Sequence, residues 1–476
     1  MKVSLYCSRK REKQMPIVRY RNISAVVAIL VLLLCVFGFA PGASAADSTI
    51  VLKSQGSAPV DMSAPLGFAE AVKIALARSE SLRSTKIDIE VGKLGEKDAW
   101  YRMFPKLILV ANYDVPVIQD KTRGTVYKES INVSFSTGSY DPISAYISHD
   151  ASKVFIKLSE MLHVIAIEEM LEKIGLAFID INTADASIAC RRELVNELES
   201  LEKYAAKKLA AGSISSLEHR VVQQRLGLAR LELVKTIRKQ ALTRRSLKQL
   251  IGLDTQDNVV FNSANATDTF ANVADLQHSL SPEMLQKSNL RLQVQVLKEK
   301  LQGFNIRLAQ AEHIPKFSFG FRTPDPMSNQ GGNLPYYASA AASVPIWSWG
   351  ESMRGVERAE LKLQDSKLQG KLMLQKIQQT ADDLRVSMET TEETASIAKT
   401  KAELQKLEAL RKEIGYNANS VPYDALIASR EQAIISQLDA IRAQQALDEA
   451  RLNMEVITGR MISQYVRVNY GELEKY

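Results

Sequence analysis

The sequence predicts a mainly α-helical fold with a small β part, built from two copies of one structural unit. Three observations lead to this prediction: an internal repeat, helical stretches much longer than those of ordinary domains, and short segments of alternating polarity. In each unit we expect a helix, a pair of strands and a long helical hairpin. With 46% hydrophobic and 24% charged residues, the 476-residue chain has the composition of a folded protein.

The internal repeat rests on three landmarks that occur twice in the same order. Each landmark recurs 207 to 210 residues later. The landmarks are Pro105 with Pro315, the loop at Gly212 with the loop at Asn419, and the helix end at Gly252 with that at Gly459. The duplication predicts a first repeat at 66–260 and a second repeat at 283–460. A linker at 261–282 joins them, and a C-terminal tail at 461–476 follows.

Very long helices dominate each repeat. The opening helix of the first repeat runs from Leu66 to about Phe104 and ends at Pro105, because proline lacks the amide hydrogen that a helix needs. Longer helices are predicted from about Ile143 to Ala210 and from Ser352 to about Ile414, each on the order of 100 Å long at about 1.5 Å per residue. Apolar residues at heptad-like spacing predict coiled-coil packing along them. These residues are Leu374, Ile377, Ala381, Leu384 and Met388, continued by Ile434, Leu438 and Ile441.

Short loops at Gly212 and Asn419 join the outgoing and returning helices. Glycine and asparagine readily adopt the left-handed conformation that ends a helix. Because the loops lie at the hairpin ends farthest from the strands, we predict that they contact a partner, with exposed apolar side chains at Ile214 and Val421. The predicted contact residues are Gly212, Ser213, Ile214, Asn419, Ser420, Val421 and Pro422. Alternatively, Gly212 and Asn419 only cap the helices.

The candidate strands have one apolar and one polar face. The apolar residues are Ile131, Val133 and Phe135 in the first repeat and Phe317, Phe319 and Phe321 in the second. In a soluble sandwich this alternation would place the apolar face in a core. Each run is, however, close to the 9–11 residues that a tilted strand needs to cross a bilayer. If the strands cross a membrane, the apolar residues face lipid and the polar loops at 122–124 and 329–331 lie outside the cell.

Residues 1–45 have the features of a secretory signal. A basic stretch precedes an apolar run at Ile23–Ala40 and a small-residue cleavage site at 43–45. The run is short for a membrane span of about 20 residues, and a retained anchor is the alternative. Of the net charge of +7, this segment carries +6, so the rest of the chain offers no concentrated basic face for a nucleic acid. Residues 46–65 are predicted to be a linker.

Four strands are too few to close a barrel in a membrane. An open strand edge cannot face lipid, because each unpaired backbone group there costs several kcal/mol. Copies of the chain must therefore pool their strands. Three copies with four strands each would form a 12-stranded barrel with an aqueous lumen, and the helical hairpins would form a coaxial periplasmic α-barrel.

The residues resemble those of the TolC-like outer membrane efflux proteins, over nearly all of 66–460. The resemblance is carried by Leu66, Ala71, Ala75 and Leu76, by both helix–proline–strand junctions, and by Val344-Pro345-Ile346-Trp347-Ser348-Trp349-Gly350 ahead of the second long helix. It implies a homotrimeric channel without a cofactor, in the outer membrane with a large periplasmic part. The family's partners are a periplasmic adaptor (membrane fusion protein) and an inner-membrane pump, in tripartite efflux or type I secretion.

The sequence departs from the family's pattern at three places. The entry to the first long helix, Phe135–Pro142, is a degenerate form of the motif, and Asn419 stands where the family favours glycine. Family members close the periplasmic end with side chains just after the second tip. The nearest candidates for this gate are Asp424 and Glu218, about one residue out of register. A carboxylate at a helix start can equally be a capping or dipole partner.

No residue pattern supports catalysis or a metal site. The five histidines are scattered without metal-ligand spacing, Cys190 has no basic partner nearby in sequence, and no glycine-rich phosphate loop occurs. An enzyme is therefore not expected. The alternatives to a channel are a periplasmic coiled-coil adaptor, which would have one hairpin instead of two, and a structural scaffold, which would have no use for amphipathic strands.

Overall fold

The computed structural model describes residues 50–52, 65–114, 130–254, 259–262, 289–323, 336–347 and 349–468. The predicted signal segment, the polar loops between the strands and most of the predicted linkers lie outside these ranges. Among the described helices, none is both long enough and apolar enough to cross a membrane.

The order of elements repeats along the chain. The elements are β1 (Ile50–Leu52), α1 (Phe68–Arg78), α2 (Glu80–Tyr101), β2 (Ile108–Asp114), β3 (Ser130–Ser136), α3 (Pro142–Ala210), α4 (Ser216–Leu250), α5 (Leu290–Ala311), β4 (Lys316–Arg322), β5 (Tyr337–Ser343), α6 (Glu351–Asn417), α7 (Tyr423–Ile457), α8 (Arg460–Tyr465) and β6 (Val466–Val468). The outgoing helices α3 and α6 have 69 and 67 residues, the returning helices α4 and α7 have 35 each, and the four main strands have seven each. This equality agrees with an internal duplication.

The predicted continuous helix from Leu66 to Phe104 is wrong. The structure divides it into α1 and α2 because Ser79 has an extended backbone, with φ −62° and ψ 124°. Serine favours this position before a helix, and Ser79 Oγ lies 2.9 Å from Ser81 Oγ. The break also accommodates the end of α4, where Gly252 at φ +75° comes so close that an added Cβ would lie 2.7 Å from the Arg78 carbonyl oxygen.

The two hairpins lie side by side. Helix α3 packs against α4 and α7, and α7 packs against α3 and α6. Nearer the strands, α2 and α5 pack against α3, and α5 also packs against α6. Consequently α4 and α6 are the two outer helices of the hairpin layer. The predicted seam agrees with this packing, since Ala381, Met388, Ile434 and Leu438 are buried.

The main hydrophobic core lies where α1, α3, α5 and α7 meet. Phe178 stands at its centre, with Phe68 and Phe261 packed edge-to-face at 5.9 Å between ring centroids. Phe261 of the predicted linker and Met461 and Ile462 of the predicted tail belong to this core. Strand β1 pairs antiparallel with β6, which joins residues near the two ends of the described chain.

Candidate functional site: the strand sheet and the hairpin tips

The four main strands form one antiparallel sheet in the order β2-β3-β4-β5. Seven residue pairs join β2 to β3 and seven join β4 to β5, whereas only three join β3 to β4. Two further hydrogen bonds between Tyr140 and Phe317, at 2.6 and 2.8 Å, extend the contact between the halves. Within the described residues, β2 and β5 each have one neighbouring strand, so the sheet has two open edges.

The predicted apolar residues share one face of this sheet. Directly paired residues of antiparallel strands lie on the same face, and Phe135 pairs with Phe321. Phe317, Phe319 and Phe321 are 39%, 49% and 41% exposed. The structure adds alanines that the sequence analysis missed, since these phenylalanines pair with Ala342, Ala340 and Ala338 of β5. Val133, and Ile131 by its strand register, belong to the same face.

The opposite face is mostly polar. Its residues include Ser134, Ser136, Ser318, Arg322 and Ser339. Three apolar residues depart from the pattern, because Ile108, Val110 and Ala341 pair with Ser136, Ser134 and Ser318 and therefore share their face. The sheet is thus amphipathic across all four strands, with its mixed end at the start of β2.

A strained turn leads from the sheet into α6. Trp349 has φ +51°, which is rare for a residue with a side chain, and Gly350 follows at φ +75°. Arg354 Nη1 donates to the Trp349 carbonyl at 3.1 Å and holds this turn. The Trp347 and Trp349 rings pack edge-to-face and are 74% and 82% exposed. In the first half, Asp141 caps α3 by accepting from the Ser144 amide at 2.9 Å.

The two hairpin tips have the same backbone geometry. Gly212 and Asn419 are both left-handed, at φ +68° and +54°. The next amides, of Ser213 and Ser420, donate to carbonyls five residues back, each at 2.8 Å. This hydrogen bond closes a Schellman motif at both tips. The two loops therefore form equivalent turns despite the asparagine in the second.

The structure exposes the predicted apolar contacts of the tips, Ile214 and Val421, less than the sequence analysis expects. Ile214 and Val421 are half-buried, and Val421 folds over Gly415, where an added Cβ would lie 2.7 Å from Val421 Cγ2. The exposed apolar side chain is instead Leu217, at 70% exposure in the first turn of α4. The sequence analysis named only residues of the loops and therefore missed Leu217, which lies in the first turn of α4.

The two gate candidates have local partners. Ser215 and Glu218 form a capping box, in which the Ser215 amide donates to Glu218 Oε2 at 2.8 Å and the Glu218 amide donates to Ser215 Oγ at 3.2 Å. Asp424, in the first turn of α7, pairs with Lys208 of α3 at 3.3 Å. Contacts with Tyr204 and Asp424 raise the pKa of Lys208. Glu218 thus stabilises its own helix, whereas Asp424 links the two hairpins.

A polar and aromatic cluster joins the hairpins just above the tips. The Tyr423 ring of α7 packs at a tilt against Tyr204 of α3 and Tyr416 of α6, with ring centroids 4.3 and 5.6 Å apart. Its burial raises the pKa of Tyr423. About two turns further along α7, Arg430 Nη1 lies 3.1 and 3.2 Å from the two carboxylate oxygens of Glu197. The sequence analysis missed this cluster because its members come from three helices.

His163 and Cys190 have structural surroundings. His163 is buried between α2 and α3, where its Nδ1 lies 2.7 Å from Thr85 Oγ1, and burial lowers its pKa. Burial, with Glu193 nearby, raises the pKa of the Cys190 thiol, so a reactive thiolate is disfavoured. In the part of the chain that the structure describes, no group of histidine, cysteine and carboxylate side chains is arranged to hold a metal ion.

Several solved structures are similar to this one. A membrane protein from Pseudomonas aeruginosa matches with a TM-score of 0.70 and 15% identity, over 82% of this chain and 92% of that chain. The CmeC outer membrane channel of Campylobacter jejuni gives 0.67 and 13%, over 82% and 85%. The open state of the MtrE outer membrane channel of Neisseria gonorrhoeae gives 0.67 and 16%, over 87% and 95%.

The comparison of sequences adds nothing to this likeness. No protein-family model and no curated protein sequence matches the chain. At identities of 13–16% the structural likeness establishes the fold. The chain has the fold of the TolC-like outer membrane channels, with duplicated helical hairpins and a four-stranded sheet.

Proposed function

We propose that this chain is one subunit of a homotrimeric channel in the outer membrane. The observation that carries the proposal is the four-stranded amphipathic sheet with two open edges, continuous with two long helical hairpins. An exposed apolar face suits lipid, and open edges suit pairing with β2 or β5 of further copies. Three copies would close a 12-stranded barrel around the polar face. The outermost helices would close the periplasmic tube in the same way.

The proposed activity is passive. Substrates delivered by an inner-membrane pump and a periplasmic adaptor would leave through the tube, in efflux or type I secretion. The likeness to channels named CmeC and MtrE supports this function over that of an adaptor or a scaffold. An adaptor would also leave the phenylalanine face and the exposed tryptophans beside it unexplained. Their rings suit the interface between lipid and water.

The tips and the gate belong to the same proposal. Both Schellman turns lie at the hairpin ends opposite the sheet, so they would line the periplasmic rim, where the adaptor docks. Leu217 supplies the exposed apolar contact there. For the gate we retain Asp424 as a candidate because its ion pair links the hairpins, while the capping box assigns Glu218 a local role.

Ion conductance tests the proposed function. The purified, detergent-solubilised protein should insert into planar lipid bilayers and give long-lived, uniform current steps. The comparison variant is Phe319→Arg, which places a charge on the face of the sheet assigned to lipid. We expect far fewer insertions for this variant. A protein that associates with bilayers but never conducts would contradict a channel.

A further inference from the structure

Helix α6 has two apolar seams on opposite sides. The first seam is buried along the side that packs against α7, and its members recur every seven residues: Ala381, Met388, Ala395, Ala402 and Ala409. The second seam is exposed by 60–66% at every member: Val386, Ile397, Leu404, Leu407 and Ile414. Its residues follow those of the first by two or five positions. At 3.6 residues per turn, the two seams lie roughly 170° apart.

Helix α4 has the same two-sided pattern. Its inner side packs against α3, where Leu226 is buried and Val222 and Leu233 adjoin Leu198 and Leu201. Its outer side exposes a second seam of leucines and valine, by 48–70%: Leu217, Val221, Leu228, Leu231 and Leu242. Because α3 and α7 lie between α4 and α6, the two outer seams of one chain cannot meet each other.

The two outer seams match in height above the tips. Leu217 to Leu231 lie 5 to 19 residues from Gly212, and Ile414 to Ile397 lie 5 to 22 residues from Asn419. The tips themselves are level, since Tyr204 and Lys208 of the first hairpin contact Tyr423 and Asp424 of the second. Helix α4 runs away from its tip and α6 runs toward its tip, so two such seams would pack antiparallel.

Farther from the tips than these apolar residues, the charges of α4 and α6 are complementary. From residue 235 to 248, α4 has six basic residues and no acidic residue; from 382 to 393, α6 has five acidic residues and one basic residue. Arg238 and Glu393 lie on the outer seams, each 26 residues from its tip, and both are exposed. Neither takes part in any ion pair found among the described residues. By contrast, Lys239 and Arg244, which lie near Arg238 on α4, do form ion pairs.

In the trimer proposed above, α4 of one copy adjoins α6 of the next through these outer seams, and we propose that Arg238 faces Glu393 across this contact. The proposal rests on the trimer proposed above and specifies its helical interface. The contact is head-to-tail, because each copy offers α4 on one side and α6 on the other, and such a contact can close a ring. The charge pair sets the axial register, which apolar seams alone leave free to slip by a heptad.

Disulfide formation tests this contact. In a Cys190→Ala background, Arg238→Cys with Glu393→Cys should give covalent dimers and trimers under mild oxidation in isolated outer membranes. The control replaces Glu393→Cys by Glu392→Cys, which is at nearly the same height but about 100° around the helix. We expect at least about tenfold less cross-linking for the control.

Charge reversal provides the second readout. Arg238→Glu and Glu393→Arg should each lower the yield of unheated trimers severalfold, and the double variant should restore it. Trimers that form normally but show equal cross-linking at 392 and 393 would overturn the proposed contact and leave the channel intact. Cross-links to an adaptor in place of a second copy would also overturn it. Absence of any trimer for the unmodified chain would instead overturn the proposed function.

Discussion

Arg430 joins three helices through its guanidinium. It lies on α7, with Glu197 of α3 at 3.1 and 3.2 Å and Glu413 of α6 at 3.1 Å. The Arg430 side chain is only 32% exposed, so solvent screens these pairs less than surface pairs. Glu197 and Glu413, in turn, raise the pKa of Arg430 against the effect of its burial. Arg430 thus adds an ion-pair link between the two hairpins to those made by Asp424 and Tyr423.

Replacing Arg430 by methionine should loosen this junction. We expect Arg430→Met to lower the free energy of unfolding by about 1–2 kcal/mol, since it leaves two half-buried carboxylates without their partner. Hydrogen exchange near residues 423–430 should accelerate. The control is Arg442→Met, because Arg442 forms its ion pair with Asp439 on its own helix and is 63% exposed. Equal acceleration in both variants would show that Arg430 does not couple the hairpins.

Glu168 makes the folded state sensitive to pH. It is buried on α3, and burial raises its pKa to about 7, against the opposing effect of Arg291 and with smaller contributions from Glu172 and Glu169. Arg291 Nη1 lies 3.6 Å from Glu168 Oε2. Because the folded chain retains this proton up to a higher pH than the unfolded chain, the stability is fully present below about pH 4.5 and falls as pH rises toward 7.

The Glu168→Gln variant should remove this dependence. The shift corresponds to at most about 3 kcal/mol between the two limits, at 1.36 kcal/mol per pKa unit. We therefore expect the variant to lose less stability than the parent chain between pH 4.5 and pH 8, measured as the denaturant midpoint in detergent. Glu169→Gln, at an exposed neighbouring position, is the control. A pH profile unchanged by Glu168→Gln would contradict the assignment.

At the scale of the elements, the face of each strand determines what a charge costs. Arginine on the lipid face of such a barrel costs about 2–4 kcal/mol near mid-bilayer, whereas a charge on the lumen face stays hydrated. Phe319→Arg should therefore reduce trimer yield strongly, and Ser318→Arg, one residue earlier on the opposite face, should reduce it little. Heat-modified electrophoresis of membrane fractions measures both. Equal yields would reverse or remove the face assignment.

The tips should matter for docking and not for assembly. Ser213 closes its turn through its backbone amide, whereas Ser420 uses its amide and also its hydroxyl, which donates to the Gly415 carbonyl at 2.9 Å. The variant carrying both Ser213→Arg and Ser420→Arg should form trimers in the membrane but lose efflux and cross-linking to the adaptor. Gly227→Arg, in open space on α4 above the tip, is the matched control. Normal export by the double variant would mean that the loops serve only as turns.

The elements could be predicted from sequence wherever a local rule decides them. The near absence of helix-breaking residues predicted the long helices within a few residues, and period-two alternation predicted the faces of β3 and β4. The break at Ser79 could not be predicted, because it accompanies the close approach of Gly252, 173 residues later in the chain. The half-buried state of Val421 and the clamp at Arg430 likewise depend on contacts between helices that are distant in sequence.

At the scale of the whole molecule, the duplicated chain leaves matching surfaces open at both ends. The sheet ends in β2 and β5, and the hairpin layer ends in α4 and α6. A single copy would expose a broad apolar area along these helices, which a soluble monomer rarely does. A single rotation that relates neighbouring copies would close the sheet and the helical layer together. It would thereby provide partners for the open edges of both. This shared requirement is the physical reason for expecting a ring of identical subunits.

Electrophoresis of the outer-membrane fraction, with and without heating, tests the central claim most directly. Without heating, the detergent-extracted protein should migrate as one species of three chains; after heating, the same sample should migrate as the single chain. Barrel strands shared between subunits explain such heat sensitivity, because the trimer cannot dissociate without unpairing strands. A protein found only as a monomer, or recovered in the soluble periplasmic fraction, would contradict the account.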